Sequence, residues 1–103
     1  MNGIIRKTID AEDKNSFLYL LHEDGIFNET LFQDYIENVS LVSAENTDKE
    51  TIKKIIERNE YILRNALYHF LPDDMYVIKN FPSNMIDYIE KISIENTRLI
   101  HML

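Results

Sequence analysis

"TDKETIKKIIERNEYILRNALYHF", residues 47–70, decides the fold. Ile52, Ile55, Ile56, Ile62, Leu63, Ala66, Leu67 and Phe70 recur at spacings that keep one broad face apolar through about residue 70. No Gly or Pro interrupts this pattern, so it predicts one long helix. Thr47 with Glu50 three residues later reads as a capping box at its start. Glu50–Lys54 and Glu60–Arg64 have the acid first at four apart, the favoured order on a helix surface. Pro72 ends the helix and suits the first position of a new turn, with Asp73 and Asp74 behind it.

Working outward, a helix over about 29–43 precedes it. Asn28 is its expected cap, and Phe27 and Phe32 occupy the two positions of a hydrophobic staple. Phe32, Tyr35, Ile36, Val39 and Val42 form its apolar stripe. A further helix over about 11–22 has Asp10 as its expected cap and Glu12 and Asp13 in its first turn. Phe17, Leu18 and Leu21 face inward there, and Gly25 is the natural stop. On the other side, "DDMYVIKN" reads equally as a short helix or an extended segment. Pro82 and Ser83 open a last helix over about 84–101, with Met85, Ile89, Ile92, Leu99 and Ile100 on its inner face.

Asn59 and Asn96 each interrupt an apolar arc, on the long helix and the last one. They are expected to hydrogen-bond each other or nearby backbone and so hold the two helices in register. The fold expected is mainly all-α, one small bundle of four to five helices forming a single domain over 1–103. The alternative is α+β, with a small sheet from the N-terminal "IIRKTI" and the 75–81 segment.

Size and composition agree. A chain of 103 residues, 45% hydrophobic with five Phe and six Tyr, can bury one modest core. Its two Gly and two Pro leave little punctuation for hairpins. There is no cysteine, so disulfides and thiolate metal sites are excluded. No signal-length or membrane-spanning apolar run is present, and a cytoplasmic location is expected. Abundant Ile and Asn fit a low-GC bacterial or phage genome.

The net charge of −7 is placed unevenly. Residues 1–9 carry +2, residues 10–50 carry eleven acids against Lys14 and Lys49, and residues 51–103 balance seven acids with seven bases. The stretch 15–48 holds seven acids and neither lysine nor arginine. One face of the fold should therefore be anionic. Glu23, Asp24, Glu29, Asp34, Glu37 and Glu45 are its candidate binding residues, with Leu41 among them as an apolar contact. Tyr61 and Tyr68, seven apart on the back of the long helix, are candidate anchors, since tyrosine offers large area with a polar tip. The competing reading covers that back with another segment, such as the N-terminal one.

An anionic face disfavours nucleic acid, because each phosphate contact wants a positive partner. It disfavours acidic membrane surfaces for the same reason. Lys53, Lys54, Arg58 and Arg64 do not make a basic recognition helix, because Glu50, Glu57 and Glu60 share it. Two glycines cannot build a phosphate-binding loop, and no activated nucleophile or paired-carboxylate cleft is legible. His22, His69 and His101 stand in no metal-binding frame; His69 with Asp73 and Asp74 is the nearest approach. No enzyme activity and no cofactor are expected. A basic protein is the favoured partner, because complementary fields speed and specify association. A homodimer stays open.

In this character, and through the acidic helices of "LLHEDGIFNETLFQDYIENV" (residues 20–39), the chain resembles the small immunity proteins that neutralise toxins of contact-dependent growth inhibition, colicin and polymorphic-toxin systems. The resemblance implies a cognate toxin nuclease domain, blocked at or beside its active site. Phage anti-CRISPR proteins share the same small acidic character and imply a different target by the same physics.

Overall fold

A computed structural model describes residues 9, 10, 13, 15–70 and 78–103, with 68–70 described by backbone alone. Its described residues form four helices: α1 (Phe17–Glu23), α2 (Glu29–Ser40), α3 (Lys49–Phe70) and α4 (Met85–Ile100). The architecture is all-α. No strand is present among the described residues, and the α+β alternative is set aside. A single parallel bridge joins Ile26 to Lys79. Lys79 N–H donates to Gly25 O (2.6 Å) and Phe27 N–H donates to Lys79 O (2.9 Å), which ties the α1–α2 turn to the segment leading into α4. Residues 1–8 and 71–77, which carry much of the expected strands or short extra helix, lie outside the described residues. None of the helices described is long and apolar enough to cross a membrane.

The first helix begins at Phe17, not near residue 11. Asp13 turns the chain locally: its carboxylate accepts Asn15 N–H (3.0 Å) and its carbonyl accepts Ser16 N–H (2.9 Å). Such a turn competes with helix. Ser16 is then the cap, accepting Tyr19 N–H through Oγ, in place of Asp10. The helix runs through Glu23, and Gly25 at φ 61° makes the reversal that a side chain would resist.

Asn28 caps α2 as expected, accepting Leu31 N–H (3.0 Å). The Phe27 and Phe32 rings of the staple lie 5.3 Å apart. Phe17 meets both, and Tyr88 packs on Phe32 at 4.8 Å, so an aromatic cluster joins α1, α2 and α4. Offset and edge-on ring pairs of this kind add roughly 0.5–1.5 kcal/mol beyond their burial. Tyr88 replaces Ile100 on the inner face of α4; Ile100 is exposed. The spacing 85, 88, 92, 96, 99 is a continuous buried arc.

The cap of α3 sits one residue later than the capping box predicts. Asp48 accepts both Thr51 N–H (3.1 Å) and Thr51 Oγ1–H (2.7 Å). Thr47 is buried and donates to Asn46 Oδ1. A carboxylate outcompetes a hydroxyl as acceptor for orphan amides at the positive helix end. Glu50 then lies free of the cap and faces Lys53 at 3.7 Å. Ile52, Ile55, Ile56, Ile62 and Ala66 are buried as expected, whereas Leu67 is exposed.

Asn59 and Asn96 do bond each other. Asn59 Nδ2 donates to Asn96 Oδ1 (2.7 Å), Tyr35 O–H donates to Asn59 Oδ1 (2.5 Å), and Asn96 Nδ2 reaches Ile56 O (3.5 Å). This buried chain links α2, α3 and α4. Burial pushes the Tyr35 hydroxyl far above its ordinary pKa, although nearby Arg58 pulls the other way. Among the described residues no buried side-chain polar atom lacks a partner.

The α2–α4 candidate interface

The long acidic stretch lacks its own cation at the C-terminal end of α2, where the helix dipole favours one. The fold brings one from elsewhere. Arg98 of α4 donates through Nη1 to Val42 O (2.6 Å) and through Nη2 to Val39 O (2.9 Å). The same guanidinium holds Glu95 through Nε and Nη2 at 3.0 and 2.7 Å. Arg98 thus caps α2 from a different helix. The helix stops at Ser40 rather than near 43. Asn46 fixes the departing turn, donating to Leu41 O (3.0 Å) and accepting Ser43 N–H (2.9 Å).

Glu23, Asp24, Glu29, Asp34, Glu37, Leu41 and Glu45 are all exposed, but they are not equivalent. Glu23 faces His22 at 3.5 Å, and Glu29 accepts the Tyr88 hydroxyl at 2.9 Å. Asp24 ends α1 as its C-cap, and Glu45 lies in the turn after α2 rather than on the helix. Asp34, Glu37 and Leu41 remain. With Thr30 they fall within an arc of about 60° at 100° per residue, directly opposite the buried Phe32, Tyr35, Ile36 and Val39. Leu41 is 61% exposed. The outer face of α2 is therefore a carboxylate stripe with an apolar end. Among the described residues, neither Asp34 nor Glu37 has an ion-pair partner.

The tyrosines divide differently. Tyr61 is half-buried against the core; its hydroxyl hydrogen-bonds His22 Nδ1, and the two rings sit edge-on at 5.5 Å. The back of α3 is covered there by α1, and farther along Ile9 is buried and accepts Arg58 Nε–H at 3.1 Å. Tyr61 thus makes contacts within the fold, of the kind the covering reading expects. The Tyr68 side chain lies outside the described residues, as do that of His69 and the whole of Asp73 and Asp74.

Beside the stripe, a groove of about 330 Å³ runs between α2 and α4. Gln33, Ile36, Glu37 and Ser40 line one wall, and Lys91, Ile94 and Glu95 the other. Ile94 is 67% exposed. Lys91 leans over the Tyr88 ring, its Nζ 5.9 Å from the centroid. Sequence reasoning missed this wall because α4 mixes three acids with two bases and shows no stripe of one sign. Lys91 and Glu95 meet Tyr88 and Arg98 three residues away on α4 itself, and the crossing of α2 and α4 sets them opposite Gln33, Glu37 and Ser40.

No protein-family model matches the chain, and neither the curated proteins nor the solved structures contain a match to it.

Proposed function

We propose that the chain is an immunity- or antitoxin-type inhibitor. It binds a basic, nucleic-acid-acting protein, with a toxin nuclease as the first candidate, and occludes it stoichiometrically. The outer face of α2 carries the contact, with Asp34 and Glu37 pairing lysines or arginines of the target and Leu41 adding apolar area. Glu45, in the turn that follows, extends the same charge. The observation that carries this reading is the exposed Asp34–Glu37–Leu41 stripe on a helix without a single lysine or arginine. The N-terminus of α2 is capped by Asn28 and its C-terminus by Arg98, so folding makes no use of the Asp34 and Glu37 carboxylates. A standard interface of about 800 Å² per partner exceeds one face of a 12-residue helix, so the contact spreads onto the groove and the 41–47 turn.

The test is capture by a panel of basic nuclease domains, read with nuclease inhibition. Binding should slow steeply as salt rises. The Asp34→Lys, Glu37→Lys double variant should keep its helical circular dichroism and lose binding. Normal binding by that variant would remove the acidic face as the interface.

A second reading, a homodimeric helical module, draws on Ile86 and Ile100. They are 68% and 51% exposed and lie about 40° apart on one flank of α4. Sedimentation of the free chain decides it: a dimer that dissociates on Ile86→Asp would favour the module.

A further inference from the structure

We infer that the α2–α4 groove is a receptor for one arginine side chain of the protein partner; the inference rests on the acidic-face reading and names the residue type it recognises. The argument is an inventory of hydrogen-bonding capacity. The Tyr88 hydroxyl has one proton, and it goes to Glu29 Oε2, which as a carboxylate only accepts. Tyr88 must therefore accept from Gln33, and the 3.2 Å contact is made by Gln33 Nε2. That fixes the amide: Gln33 Oε1 is left as an acceptor. Ser40 has spent its hydroxyl proton on Glu37 O at 2.7 Å, so its Oγ too offers lone pairs. The Glu37 carboxylate has no ion-pair partner among the described residues. On the facing wall Glu95 is held by Arg98, and Lys91 is turned over Tyr88.

What the α2 wall presents is thus three acceptors, one of them charged, along a single helix stripe. Ile36 and Ile94 supply apolar surface between the walls. A guanidinium has five donors and no acceptor, and it rides on an apolar three-carbon stem. It matches this wall in charge, and its planar fork can meet Glu37 together with Gln33 or Ser40, which lie about 6 and 4.5 Å to either side of it along the helix axis. An ammonium gathers its three donors on one atom, so it meets Glu37 without the spread fork that reaches a neighbouring acceptor at the same time.

The full chain, isotope-labelled, would be titrated at physiological salt with the blocked tripeptide Ala-Arg-Ala. The lysine and citrulline tripeptides serve as controls; citrulline keeps the shape of arginine and loses its charge. The arginine peptide should give saturable shifts at the Gln33 side-chain amide, the Ser40 amide and the Ile94 methyls. Both controls should bind about tenfold more weakly or worse, and Glu37→Gln should lose about tenfold, the scale of one charge-assisted hydrogen bond. Ile94→Ala should weaken binding without changing the preference for arginine. Equal shifts from arginine and citrulline would overturn the inference, as would shifts scattered over Glu23, Asp24 and Glu45. If a nuclease domain binds through Asp34 while the groove signals stay still, the groove assignment falls and the acidic-face reading stands. Groove-specific arginine binding without any nuclease partner supports the groove alone.

Discussion

Asn59 shows how much one buried amide can decide. It receives the Tyr35 proton and donates to Asn96, so three helices meet at a single side chain. Asn59→Ala strands two buried polar groups at once and should cost about 3 kcal/mol in urea unfolding. Tyr35→Phe removes one donor and leaves the Asn59–Asn96 bond, so about 1 kcal/mol is expected. Equal losses would mean that the network is not the register device. Tyr35 also predicts an alkaline limit. Its folded-state pKa lies above the ordinary value of 10.0 because burial disfavours the phenolate. The folded chain then holds a proton that the unfolded chain releases above about pH 10. Stability from this group is complete below that pH and falls as pH rises beyond it. Denaturant melts from pH 8 to 11 should show the loss, and Tyr35→Phe should flatten it.

At the scale of elements, local chemistry and long-range contacts can be told apart. Asn28, the Phe27–Phe32 staple and the apolar period of α3 are legible because the interacting residues are neighbours in sequence. The starts of α1 and α3 lie away from the expected caps because two local options compete at each: Asp10 against Ser16, and Thr47 against Asp48. The cation that closes α2 has no local signal, because Arg98 is 56 residues away from Val42. Arg98→Gln should shorten α2 and cost about 1–3 kcal/mol, given three charge-assisted partners and a helix terminus. Arg98→Lys should recover only part, since an ammonium cannot span two carbonyls and a carboxylate in one plane. Amide exchange at Leu41 and Val42, whose N–H groups bond Asn38 O and Val39 O, should accelerate in both variants. Unchanged exchange there would show that Asn46 alone holds the turn.

For the whole molecule, the charge distribution works against folding and toward association. Residues 10–50 carry −9, and the outer stripe of α2 holds carboxylates with no base on its own helix. Screening should relieve that repulsion, so the melting temperature of the free chain should rise by roughly a few degrees between low and half-molar salt. Association with a cationic protein should weaken over the same range. Opposite salt responses in stability and binding are the joint signature of an interface held in surplus. The Asp34→Lys, Glu37→Lys variant should lose both.

The sequence by itself determined the helical character, the anionic stretch, the hydrogen-bonding demand of Asn59 and Asn96, and the exposure of Asp34, Glu37 and Leu41. Periodicity, caps and charge balance act within a few residues and need no fold to be read. Only the tertiary structure decided which acids are used up and which are left over. Tyr88 takes Glu29, Tyr61 takes His22 with Glu23 beside it, and Arg98 closes α2, while the α2–α4 crossing makes the groove beside Glu37. Except for the neighbours His22 and Glu23, these pairings join residues tens of positions apart, and a hydrogen bond depends on angstroms of separation in space that a linear pattern does not contain.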